Sequence, residues 1–239
     1  MPPTMAALWL ILVFVAMLLF AEFSRRLLRN PRGDVPAGFW WFFTRAYSAV
    51  VQRRRAEGQE ALRRVREPGP LILVCNHTAG IDPVLVQGSC RFEPRWVMAA
   101  DMKAGLDALW EFGNIIFVDR EKGDLTGTRE AIRHVKAGGV LGIFPEGRIE
   151  RPARKLLPFQ PGVGFIIKRC GAPVLPVVIE GTPEADSAWG SIYRRGRARL
   201  RYMDLIDYSA TKLSAEEIAG DLQRRFQEWT GWPVNEDAG

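Results

Sequence analysis

Histidine is nearly absent from this chain, with two in 239 residues, His77 and His134. Cysteine is almost as scarce: Cys75, Cys90 and Cys170 stand at unrelated spacings. That excludes a paired disulfide framework and leaves no metal-ligand pattern, so no metal is expected. No Gly-x-Ser-x-Gly elbow and no His-Glu-x-x-His helix occurs, which removes the usual signatures of serine and zinc hydrolases. No Lys or Arg precedes the first apolar run, the reverse of the order in a cleaved secretory signal. Internal repeats and low-complexity tracts are missing too.

What is present begins with charge. The net charge of +6 resides wholly in residues 1 to 55, which hold eight arginines and two acids. The remaining 184 residues sum to zero. A nucleic-acid binder would spread its arginines over the folded domain. Here they flank apolar segments, so no nucleic acid is expected and anionic lipid is the expected partner.

Met5 to Phe20 is unbroken by charge, and extended to Phe23 the run is about 19 residues, near the length that crosses a bilayer as a helix. Arg25, Arg26, Arg29 and Arg32 follow it. The expectation is a retained membrane anchor with the arginine side, and the domain that follows, cytoplasmic. A second segment, Gly38 to Tyr47, is too short and too aromatic for another crossing. Its tryptophans and the nearby Arg53-Arg54-Arg55 suit the headgroup zone, as against plain packing on the domain. Residues 1–60 are therefore read as anchor plus interfacial helix, and 61–239 as the folded domain that follows.

From residue 70 onward, short apolar runs alternate with helical patterns. Leu71–Val74, Trp96–Ala99, Ile115–Val118, Val140–Phe144 and Val174–Ile179 read as strands. Asp124–Lys136 and Ser214–Trp229 read as helices, the latter with Ser214 and Glu217 in capping-box spacing. Arg197–Tyr202 alternates and reads as a half-exposed strand near an edge. The fold class is α/β, a mixed, largely parallel sheet flanked by helices.

The run Asn76-His77-Thr78-Ala79-Gly80-Ile81-Asp82-Pro83 holds the main chemical signal. A histidine beside an acid is a candidate general base, the carboxylate fixing the imidazole tautomer. The plain structural reading is a helix N-cap at Asp82 with Pro83 at the first helical position. A capping aspartate is also a fixed one, so both can hold. An ideal helix would set residues 77 and 82 about 140° apart, so the pair must meet through a loop, with Gly80 expected to allow the tight turn. Cys75, close by, ends an apolar run and reads as a small buried residue rather than a nucleophile. His134 sits beside Arg133 and Lys136 and reads as a surface residue.

Three further segments accompany this block: Gly113 to Arg120, ending in an acid-arginine pair; Phe144-Pro145-Glu146-Gly147-Arg148; and the proline-bracketed Ala172 to Ile179. In order and spacing the four blocks resemble the motifs of the glycerolipid acyltransferase family, whose best-known branch is 1-acylglycerol-3-phosphate acyltransferase. The resemblance spans residues 70 to 182 and includes Phe159 to Gly164. One departure stands out. Many members place a threonine before the arginine of the third motif, whereas Arg148 follows Gly147 directly, which leaves the acceptor head group open.

The resemblance implies acyl transfer from a thioester to a lysophospholipid hydroxyl, with lysophosphatidic acid as the default acceptor. His77 and Asp82 would be the catalytic pair. Arg120, Glu146, Gly147 and Arg148 would bind substrate, the arginines on phosphate and Glu146 on glycerol hydroxyls or an arginine. Arg154 and Lys155 would assist or merely be solvated. No cofactor is implied; acyl-CoA or acyl-carrier protein is the donor. A thioesterase, or a lipid-binding tether without activity, is the rival reading.

Overall fold

Apolar length dictates the first element. Helix α1 (Pro3–Leu28) follows from the charge-free run, and its large apolar side chains from Met5 to Phe23 stay exposed, while Leu27 near its end is buried. An 18-residue stretch within Thr4–Leu28 has a mean hydropathy of 2.6 and none of that stretch is buried, which suits a helix solvated by lipid. The computed structural model describes residues 3–64, 69–103, 110, 112–119, 125–185, 187 and 189–236.

Asn30 and Asp34 reverse the chain after α1. The Asn30 amide donates to the carbonyls of Leu27 and Asp34, and the Asp34 carboxylate accepts from Ala37 N–H, capping α2 (Val35–Val50). Gly38 lets α2 start against α1, since a Cβ there would lie 2.2 Å from the Leu27 carbonyl oxygen. The chain divides into two units between Phe43 and Thr44, inside α2.

The second unit is built on a seven-stranded sheet in the order β1-β7-β6-β2-β5-β3-β4. The strands are β1 (Arg55–Glu57), β2 (Leu71–Cys75), β3 (Arg95–Ala99), β4 (Ile116–Val118), β5 (Val140–Ile143), β6 (Val174–Glu180) and β7 (Arg199–Tyr202). Only the β6–β7 pair is antiparallel. Between them fall α3 (Glu60–Arg64), α4 (Asp82–Ser89), α5 (Thr126–Lys136) and α6 (Pro161–Cys170), and α7 (Ala215–Thr230) follows β7.

β2 lies at the centre and is buried on both faces. Leu71, Leu73 and Cys75 enter one core, and Ile72 and Val74 the other, the period-2 alternation of a strand. Each such aliphatic contributes about 1.5–3 kcal/mol. The second core lies under α5, α6 and α7. Gly164 brings α6 onto the start of α7, where a Cβ would come within 1.9 Å of the Ala215 carbonyl oxygen.

Most expected elements are present within a residue or two at each end, and the α7 capping box forms between Ser214 and Glu217. Asp124 lies outside the described residues. β7 lies near an edge and is half-exposed, as expected, with Arg55–Glu57 outside it as the edge strand. Three readings need correction. Asp82 is the first residue of α4 and Ile81 takes the N-cap position, so Pro83 falls second. Gly80 stays outside the left-handed region. His134 is half-buried, with Nε2 3.0 Å from the Val140 carbonyl, and burial lowers its pKa.

Candidate active site

The parallel strands β2, β5 and β6 end on one edge, where loops converge and sites form. β2 delivers Asn76 and His77 there. Asn76 is fully buried and pairs with the Ile179 backbone in both directions, at 3.0 and 2.7 Å, which fixes the end of β2 against β6.

The His77 ring lies flat on Phe144, centroids 4.1 Å apart, and Phe144 in turn stacks on Trp96. Nδ1 is 3.0 Å from Asp82 Oδ2. That occupies one ring nitrogen and leaves Nε2 as the group able to take a proton. The His77 side chain is 17% exposed, while Asp82 is fully buried.

Asp82 closes the loop in place of Gly80. Its Oδ2 accepts from Thr78 N–H at 2.6 Å and Ala79 N–H at 2.8 Å, and Oδ1 accepts from the Thr78 hydroxyl at 3.1 Å. Thr182, just beyond β6, donates to the Thr78 hydroxyl oxygen at 2.7 Å. A carboxylate at the start of a helix also sits favourably in the helix dipole. One side chain thus caps the loop and orients the histidine.

Glu146 holds the histidine from the other side. Its Oε1 accepts from His77 N–H at 2.7 Å and its Oε2 from Leu157 N–H at 2.8 Å. The carboxyl is 3% exposed. Burial pushes it up to about 8, against the pull of its two backbone donors. Gly147, with φ of 76°, turns the chain immediately afterwards, in the region that favours glycine.

Glu150 is a neighbour that sequence reasoning missed. Its N–H donates to the His77 carbonyl at 2.8 Å, so both backbone groups of His77 are held. Its buried carboxyl is raised to about 7 by desolvation, with Asp82 nearby adding to the shift. Arg151 was also missed. Its guanidinium reaches the carbonyls of Thr78, Glu150 and Ala185, so a cation lies beside the loop that joins His77 to Asp82. The only cue was a second arginine three residues beyond the motif that ends at Arg148.

Arg148 is exposed and makes no hydrogen bond or ion pair among the described residues, so its guanidinium is open to a ligand. Arg154 and Lys155 are exposed as well. Arg120 lies outside the described residues. Cys75 is fully buried, and burial pushes its thiol well above the ordinary range, which fits a packing residue. The described residues hold no cluster of metal-ligating side chains.

A histidine held by a buried carboxylate at the ends of parallel strands, with the Arg151 guanidinium beside the loop, is able to act as a general base toward an anionic acceptor. It needs no covalent intermediate if the donor is already activated. Residues 53–180, more than half of the chain, match the family model for acyltransferases, and the chain belongs to that family. Its fold is similar to the crystal structure of the 1-acyl-sn-glycerophosphate (LPA) acyltransferase PlsC from Thermotoga maritima. The TM-score is 0.69 at 23% identity, over 92% of this chain and 91% of that one.

Proposed function

We propose that the protein transfers a fatty acyl group from an acyl thioester to the free hydroxyl of 1-acylglycerol-3-phosphate, giving phosphatidic acid. The observation that supports this reading is the His77 Nδ1–Asp82 contact at 3.0 Å, which leaves Nε2 available for proton transfer. Nε2 takes the proton of the acceptor hydroxyl as its oxygen attacks the thioester carbonyl. A tetrahedral adduct forms, and Asp82 stabilises the imidazolium beside it. The adduct collapses, the carbon–sulfur bond breaks, and the thiolate leaves with the proton from Nε2. The products are the diacyl lipid and the free carrier thiol.

Arg148, with Arg120, binds the acceptor phosphate, for which a planar guanidinium offers paired donors. Arg151 adds positive potential beside Thr78. Glu146 and Gly147 act on the loop: the first clamps the His77 peptide, and the second makes the turn that presents Arg148. The donor is acyl-CoA or acyl-carrier protein.

The lipid acceptor explains the apolar α1, since an interfacial enzyme need not extract its substrate into water. The arginines that follow α1 support a cytoplasmic position for the catalytic unit. The reading is tested with a panel of lysolipids and a labelled thioester in purified membranes. Selective formation of phosphatidic acid supports it. Transfer to another lysolipid changes the acceptor, and carrier release without diacyl product makes the enzyme a thioesterase.

A further inference from the structure

The edge of the sheet that presents His77 carries a second feature that acyl transfer does not use. A short 3-10 helix (Trp189–Tyr193) lies between the end of β6 and the start of antiparallel β7, and so on the same edge as His77. Its aromatic side chains point outward: Trp189 is 38% exposed and Tyr193 is 87% exposed. Three exposed arginines, Arg194, Arg195 and Arg197, follow directly.

Half-buried aromatic rings continue from it across the edge. The Trp189 ring meets that of Trp110 at 5.6 Å, and Trp110 meets Phe117 of β4 edge-on at 6.1 Å. Lys103 Nζ stands 5.5 Å from the centroid of the Phe117 ring. In the sheet order, β6 and β4 lie on either side of β2 and β5. The aromatic chain therefore bridges the edge from which His77 and Glu146 project.

This surface is also braced. The Tyr47 hydroxyl donates to the Ile192 carbonyl at 2.8 Å, and the Gln52 amide to the Arg194 carbonyl at 2.7 Å. Tyr47 lies in α2, and Gln52 just after it, on the stretch of chain that leads out of the apolar anchor. A mobile surface loop would not need such ties. They hold the aromatic-basic segment in one orientation.

We infer that the catalytic unit has its own membrane-docking surface, formed by Trp189, Tyr193, Arg194 and Arg195, that rests on anionic lipid headgroups. Aromatic rings with one apolar body and one polar tip settle at the bilayer interface. Arginines beside them are drawn to a negatively charged leaflet. The contact would set the His77 edge against the lipid, so that α1 tethers the chain and this surface orients it. It does not depend on which acceptor is acylated.

The test uses the full chain in vesicles of phosphatidylcholine and phosphatidylglycerol, with Cys170→Ser removing the one half-exposed thiol. A fluorophore goes on Tyr193→Cys, and, in a separate protein, on Ala137→Cys, exposed at the opposite edge just before β5. Lipids carrying a nitroxide near the headgroup then quench what touches the interface. Severalfold stronger quenching at 193 than at 137 is expected, weakened by the pair Arg194→Glu and Arg195→Glu. Both label sites are exposed, so folding is not at risk, and α1 is intact in every variant. Equal quenching at the two sites, or quenching at 193 that charge reversal leaves unchanged, overturns the inference.

Discussion

Replacing Glu146 by glutamine should lower turnover without weakening the binding of either substrate. Both carboxyl oxygens accept backbone N–H groups, from His77 at 2.7 Å and Leu157 at 2.8 Å. Glutamine supplies one acceptor and one donor. Its NH₂ must therefore face an N–H, leaving a buried backbone donor without a partner. That costs about 1–3 kcal/mol. If the loss falls on the position of His77, kcat drops about 5- to 150-fold. The assay is steady-state acyl transfer, with kcat and KM separated for the lysolipid, beside a melting curve. The expected pattern is a fall in kcat at nearly constant KM. A raised lysolipid KM with kcat unchanged would refute the clamp and return Glu146 to direct contact with the acceptor.

Asp82→Asn should be more severe, because an amide presents a donor where Thr78 N–H, Ala79 N–H and His77 Nδ1 converge; a loss of about three to four decades in kcat is expected. Stability should fall as pH rises. The Glu146 carboxyl lies at about 8 in the fold, above its ordinary 4.5, so its protonated form belongs to the folded state. The contribution is complete below pH 4.5 and is lost as pH rises through 8. At about 1.4 kcal/mol per unit it is on the order of 5 kcal/mol. Melting temperatures at pH 5.5 and 8.5 read about 3 kcal/mol of this difference, and Glu146→Gln should shrink it. Gly164→Ala should destabilise by about 1–3 kcal/mol through the clash with Ala215, read as a lower Tm with residual activity in the folded fraction.

The strands that build the site were legible because they are central and buried on both faces. β2, β5 and β6 are continuous apolar runs, the pattern of parallel strands under helices on each side. The capping box of α7 was legible because it is local, Ser214 to Glu217. β1 was not. Arg55-Ala56-Glu57 has no apolar signal, and it becomes a strand only through pairing with Arg199–Arg201 in a register no local pattern encodes. α6 opens with proline and carries glycines at 162 and 164, so its helix came from packing on α7 rather than from propensity.

The same division runs through the site. His77 and Asp82 are five residues apart, and their pairing could be argued from one motif. The role of Glu146 could not, since its partner is the His77 peptide 69 residues earlier in the chain. The Glu150 and Arg151 contacts to the His77 and Thr78 carbonyls are likewise set by the fold. Long-range bonds between side chain and backbone leave no trace in spacing.

Acyl transfer by wild type and His77→Ala, from a labelled thioester to lysophosphatidic acid in purified membranes, tests the general-base assignment most directly. The account predicts phosphatidic acid from the wild type and none from His77→Ala, whose melting curve is retained. Product formed by a folded His77→Ala protein would contradict it.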